Sequence, residues 1–134
     1  MRDQIAPFPV ADGPSLAEAS RRVGRFLGAT RAARRFDGLT SEELLLFLAI
    51  GHLSLEASGN LPRLVPRTYL EIAEFLHIPR ETARRKLGRL CDRGLGRIVP
   101  GGVVVGDVAA WMRLAGSLLP AEAEATVPPG GRDA

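Results

Sequence analysis

Four charged side chains within six positions, Arg80, Glu81, Arg84 and Arg85, are the residues of this chain best equipped for chemistry at a polar edge. A guanidinium is a planar fork of donors that fits a phosphate or the paired O6 and N7 acceptors of guanine, and a carboxylate can accept from the amino group of cytosine. At about 100° per residue along a helix over 80–90, Ala83, Leu87 and Leu90 form one stripe while Glu81, Arg85, Gly88 and Arg89 lie opposite. One face can pack and the other can reach into a groove. Gly88 costs such a helix roughly 1 kcal/mol relative to alanine. Either its missing side chain lets the backbone approach another surface closely, or the helix is weakened by chance; the residues leave both open.

The element that must present these side chains begins earlier. Tyr69-Leu-Glu-Ile-Ala-Glu-Phe-Leu76 has the spacing of a second short amphipathic helix, and His77-Ile78-Pro79 makes a tight turn between the two. That is a helix-turn-helix layout. It runs over about residues 67–93 and stops at Gly94, which suits a left-handed cap. Arg97-Ile-Val-Pro-Gly-Gly-Val-Val-Val105 then places two β-branched segments around a Pro-Gly-Gly turn, a small hairpin.

Charge follows the same map. The net charge is only +3, yet residues 80–97 carry seven bases against Glu81 and Asp92, an excess of +5. A second cluster, Arg21, Arg22, Arg25, Arg31, Arg34 and Arg35, has no acid between Ala19 and Phe36. Lys86 is the one base that is not arginine. This distribution points to a polyanionic partner.

Other chemistry finds no support. His52 and His77 have no obvious third ligand, so no metal is expected, and nothing resembles a nucleophile with its base, a phosphate loop or paired catalytic carboxylates. Neither enzyme activity nor a cofactor is expected. The single cysteine, Cys91, excludes an internal disulfide and reads as a small buried hydrophobe. The first residues do not read as a signal peptide, and the longest apolar run, Leu44 to Gly51, is far short of a membrane span. A reducing, cytoplasmic setting without membrane contact is expected.

With 46% hydrophobic and 25% charged residues the chain is of ordinary globular composition, and 134 residues support one modest core. Residues 1–14, rich in proline, should be a flexible segment. Ser15 can cap a first helix, with Glu18 closing a capping box. Leu16, Ala19, Val23, Phe26 and Leu27 form its apolar stripe, and it should fade near Gly28. This helix, within 15–36, is a candidate dimer contact. Thr40 and Glu43 open a stronger box, and Leu44 to Ile50 is apolar around most of its circumference, so this helix should be buried within the domain. Residues 56–62 read as a loop and 63–65 as a short strand. Asp107 can cap a last helix over 107–119 carrying Trp111, a core or dimer contact. Residues 120–134 have little to bury and should be a disordered tail.

A helix-turn-helix followed at once by a strand-turn-strand is a winged helix. Arg80-Glu-Thr-Ala-Arg-Arg85, Leu87-Gly-Arg-Leu90 and Gly94-Leu95 resemble the DNA-binding domain of the Crp/Fnr family over roughly residues 40–106. The resemblance implies that Arg80, Glu81 and Arg85 read bases, with Arg85 donating to guanine and Glu81 accepting from cytosine. It also implies phosphate contacts at Thr68, Tyr69 and Thr82, and a homodimer on double-stranded DNA, with RNA polymerase as a further partner. Arg84 replaces a small or polar residue and could add a base or a backbone contact. Arg89, Arg97 and the glycines of the wing turn, Gly101 and Gly102, are expected on the backbone. Three departures stand out. His77 takes the place of a turn glycine, Pro79 that of a capping hydroxyl, and Lys86 that of an apolar residue. The family's cyclic-nucleotide-binding barrel is not expected, since about 35 residues lie upstream of the resemblance. MarR-type regulators, which set a winged helix between dimer-forming helices, are a second analogy for the flanking helices.

The reading is therefore a mainly α winged helix-turn-helix with flanking N- and C-terminal helices, spanning 37–106. Its expected function is sequence-specific transcription regulation. The alternative is a winged helix that binds a protein through its apolar second helix and the Trp111 helix.

Overall fold

Thr40 and Thr68 start the helices that organise the core, and each does so by reciprocal capping. The Thr40 hydroxyl accepts from the Glu43 N–H at 3.2 Å while the Thr40 N–H donates to Glu43 Oε1 at 3.0 Å, and Thr68 with Glu71 repeats the arrangement. The computed structural model describes residues 15–58 and 61–118. In order these form α1 (Leu16–Asp37), α2 (Ser41–Ser54), β1 (Leu55–Ser58), β2 (Leu61–Leu64), α3 (Tyr69–Leu76), α4 (Arg80–Asp92), β3 (Gly96–Val99), β4 (Gly102–Val105) and α5 (Val108–Gly116). This is a winged-helix-like arrangement, mainly helical, with α1 and α5 flanking it.

The core gathers around α2. Leu44, Leu46, Phe47 and Ile50 are buried with Leu39, Ile72, Ala83, Leu87, Leu90, Val103, Val105 and Leu114. The near-continuous apolar run of α2 thus lies inside the domain, as its lack of a polar face requires; Leu45 alone among its leucines is classed exposed. Leu45 of α2 and Val108 and Met112 of α5 stay exposed, so part of the apolar surface that the protein-binding alternative invokes remains accessible. Trp111 of α5 lies against Gly51, where a Cβ would overlap the ring, and its Nε1 donates to the Leu48 carbonyl at 3.3 Å. Trp111 is therefore a core contact.

Several expectations need correction. α1 does not fade near Gly28 but continues to Asp37, because one exposed glycine costs less than the packing of Ala29 and Ala33 returns. It ends at Gly38, which sits at φ 67° and donates its N–H to the Ala33 carbonyl. Ser15 does cap it, accepting from the Glu18 N–H at 3.1 Å, but the Glu18 carboxylate accepts from Arg22 instead of closing a box. The stretch read as a loop and a short strand is a second antiparallel hairpin, with Leu55 opposite Leu64 and Ser58 opposite Leu61. The Gly59-Asn60 pair between its strands is hairpin chemistry that the loop reading passed over. The expected flexible segment 1–14 and tail 120–134 lie outside the described residues.

Candidate nucleic-acid interface

The turn before α4 is closed by the backbone. His77 takes φ 56° and ψ 46°, and the N–H of Ile78 donates to the Ala73 carbonyl at 3.0 Å, so histidine fills the left-handed cap where glycine is usual. Pro79 stands at the N-cap position itself and offers no side-chain cap; its carbonyl accepts from Ala83 at 3.0 Å.

On α4 the two faces separate as their spacing demands. Ala83, Leu87 and Leu90 are buried, whereas Arg80, Glu81, Arg84, Arg85 and Arg89 are exposed. Arg80 and Arg85 have no ion pair or hydrogen-bond partner among the described residues. Glu81 and Arg84, both expected to read bases, pair with each other. Arg84 Nε donates to Glu81 Oε1 at 3.2 Å and its Nη2 to Oε2, a fork on both oxygens. That hydrogen bond, helped by the charges of Arg84, Arg85 and Arg80, holds the Glu81 carboxyl below the usual carboxylate range. A Cβ on Gly88 would meet nothing within 4 Å, so the space in front of it is open.

Two bases of α4 turn toward α2. Lys86 Nζ lies 3.3 Å from Glu42 Oε1 and its side chain is only 16% exposed, so it packs against α2 through a carboxylate. Arg89 Nη1 lies 3.4 Å from Oε2 of the buried Glu43, whose other oxygen serves the Thr40 cap. Arg89 thus divides between α2 and solvent. The sequence reasoning missed Arg93, at the end of α4, which donates to the carbonyls of Asp37 and Gly38. Along the sequence Arg93 counts only as one of the seven bases of residues 80–97, and nothing local marks it as a tie to α1.

The wing leans on the start of α3. Arg67 and Val103 exchange two backbone hydrogen bonds, at 2.9 and 3.2 Å, so β4 is flanked by β3 on one side and by the Arg67 backbone on the other. Gly102 (φ 145°) must be glycine, because a Cβ would collide with the Arg67 carbonyl; Gly101 (φ 98°) makes the turn after Pro100. Thr68, Tyr69, Ile98, Val99, Gly101 and Gly102 line a groove of about 350 Å³ between helix and wing. Arg97 on β3 is exposed, as is Thr68, while Thr82 is half-buried.

Cys91 is half-buried beside Gly96, and burial pushes its thiol up. His52 lies against Phe75, with ring centroids 5.8 Å apart. Among the described residues no three metal-ligating side chains cluster, and no helix is long and apolar enough to cross a membrane.

No model of a known protein family matches this chain, and no curated protein matches it. A solved structure to which it is similar is a transcriptional regulator of the CRP family from Thermus thermophilus. The two are 28% identical, with 75% of this chain and 50% of that one covered and a TM-score of 0.38, so this chain spans about half of that chain's length.

Proposed function

We propose that this chain is a sequence-specific transcription regulator that binds double-stranded DNA by placing α4 in the major groove. The observation that carries the reading is the state of Arg80 and Arg85. Two guanidinium groups stand exposed and, among the described residues, without an ion-pair or hydrogen-bond partner, on a helix whose opposite face is locked into the core. Arg85 donates to guanine and Glu81 accepts from cytosine. Thr68, Tyr69, Gly101 and Gly102 track the phosphate backbone along the groove between α3 and the wing, and Thr82, Arg97 and the solvent side of Arg89 add phosphate contacts outside it.

The regulator acts as a homodimer paired through α1. Leu16 and Val23 recur at seven-residue spacing, and so do Ala19 and Phe26, which is the seam of a short two-stranded coil over the first half of α1, before Ala29 and Ala33 turn into the chain's own core. Leu16, Val23 and Leu27 are 62%, 56% and 59% exposed in the single chain. Two-fold pairing sets the reading helices about 34 Å apart on a palindromic site. RNA polymerase is the further partner that a regulator of the resembled family would meet, and the cytoplasm is the setting.

Titration of labelled duplexes at two salt concentrations tests the reading. Arg85→Ala should cost about 1 to 3 kcal/mol at one base pair, whereas Arg97→Ala should weaken all sequences alike and flatten the salt dependence. Absence of binding to any duplex at low salt overturns the proposal.

A further inference from the structure

Resting on that reading of α4, we infer that Arg84 is a positioning residue: it holds the Glu81 carboxylate in place for a cytosine amino group and does not itself contact DNA. Of the four charged side chains at the start of α4, only these two are committed to each other. The fork engages both carboxylate oxygens, which fixes the plane of the carboxylate and its rotamer. An ionised carboxylate has about four acceptor sites; the fork uses one on each oxygen and leaves those pointing away from Arg84 for an incoming N–H donor.

Charge gives the same assignment. A bare carboxylate carried into the major groove meets the phosphates of both strands, whereas the paired side chains approach as a neutral unit. Arg80 and Arg85, without ion-pair or hydrogen-bond partners among the described residues, remain for phosphate or guanine. Arg84 stands one turn from Glu81, the spacing at which side chains of one helix meet. An exposed pair of this kind adds little to folding, so its removal should leave the domain intact.

The test uses the full chain as wild type, E81Q, R84A, R84K and the double variant, titrated against duplexes from a randomised library that differ at single base pairs. We expect E81Q and R84A each to lose about tenfold discrimination at the same base pair, the scale of one good side-chain contact. The double variant should be no worse than E81Q. R84K should recover little, because a lysine cannot fork onto two oxygens. R84A should also lose that discrimination at a higher pH than wild type, since Glu81 then protonates more readily, and its salt slope should change by much less than the about 0.9 of a lost phosphate contact. A salt slope reduced by about 0.9 with affinity lowered for all duplexes marks Arg84 as a phosphate contact and overturns the inference. So does lost preference at a different base pair, or additive losses in the double variant. If the wild type has no base preference at all, the reading role of α4 falls, and this assignment with it.

Discussion

Arg113 of α5 forks onto the carboxylate of Asp37, the last residue of α1, with Nη2 to Oδ1 at 3.0 Å and Nη1 to Oδ2 at 3.2 Å. An aspartate at a helix C-terminus faces the negative end of the helix dipole, and here a cation from the far end of the chain compensates it. Arg93 of α4 donates to the carbonyls at the same corner. The elbow between α1 and α2 is thus tied to both α4 and α5.

The two halves of that fork are not equivalent. Asp37 is 16% exposed and Arg113 56%. Arg113→Ala strands a mostly covered carboxylate, whereas Asp37→Asn leaves a guanidinium that water can solvate. Arg113→Ala is expected to lower the melting temperature clearly and Asp37→Asn only slightly. Thermal unfolding followed by circular dichroism checks the order.

Gly51 has no room for a side chain beneath Trp111. Gly51→Ala must push the indole outward and break its hydrogen bond to Leu48, and overpacking of this kind costs about 1–3 kcal/mol. Trp111 is the chain's one tryptophan, so its emission should shift to longer wavelength in the variant. Denaturant unfolding monitored at that signal measures both effects.

Gly88 poses a trade between folding and binding. With open space in front of it, Gly88→Ala should stabilise the domain by up to about 1 kcal/mol while weakening duplex binding, because the new methyl group stands between the backbone and the groove. A variant both more stable and equally tight would show that the glycine has no part in the interface. Paired melting and titration experiments decide this.

Val23→Glu with Leu27→Glu places two like charges on the exposed stripe of α1. If the proposed pairing through α1 holds, light scattering should report a dimer for the wild type and a monomer for the variant, and far-ultraviolet dichroism should change little, since neither side chain belongs to the core.

Cys91 gives a pH dependence whose sign follows from burial. Its thiol is raised above the ordinary range, first by desolvation and then by Asp92. The folded state therefore favours the neutral thiol. That contribution is complete below the unfolded thiol's pKa, about 8.5, and is lost as pH rises through the higher folded value. Alkylation by iodoacetamide should be slow near neutrality and speed up only in alkaline solution, and the unfolding midpoint should fall over the same range.

The caps at Ser15, Thr40 and Asp107, the tight turn at His77 and the stripe Ala83, Leu87, Leu90 were legible in the sequence because each is set by local chemistry, although the same spacing predicted a box at Ser15 that Glu18 does not close, and the box at Thr68 went unread. The same local rules placed Arg80 and Arg85 in solvent and Leu46, Phe47 and Ile50 in the core. Tertiary structure alone decided how the remaining charges were used. Lys86, Arg89 and Arg93 read alike along the chain, yet one lies against Glu42, one divides between Glu43 and water, and one ties the corner at Asp37. Each outcome depends on which carboxylate or carbonyl another helix brings within reach, and a charge on a helix surface carries no record of a neighbour many residues away. The length of α1 was decided in the same way: Gly28 predicts a break on propensity, and the packing of Ala29 and Ala33 against the domain overrides it.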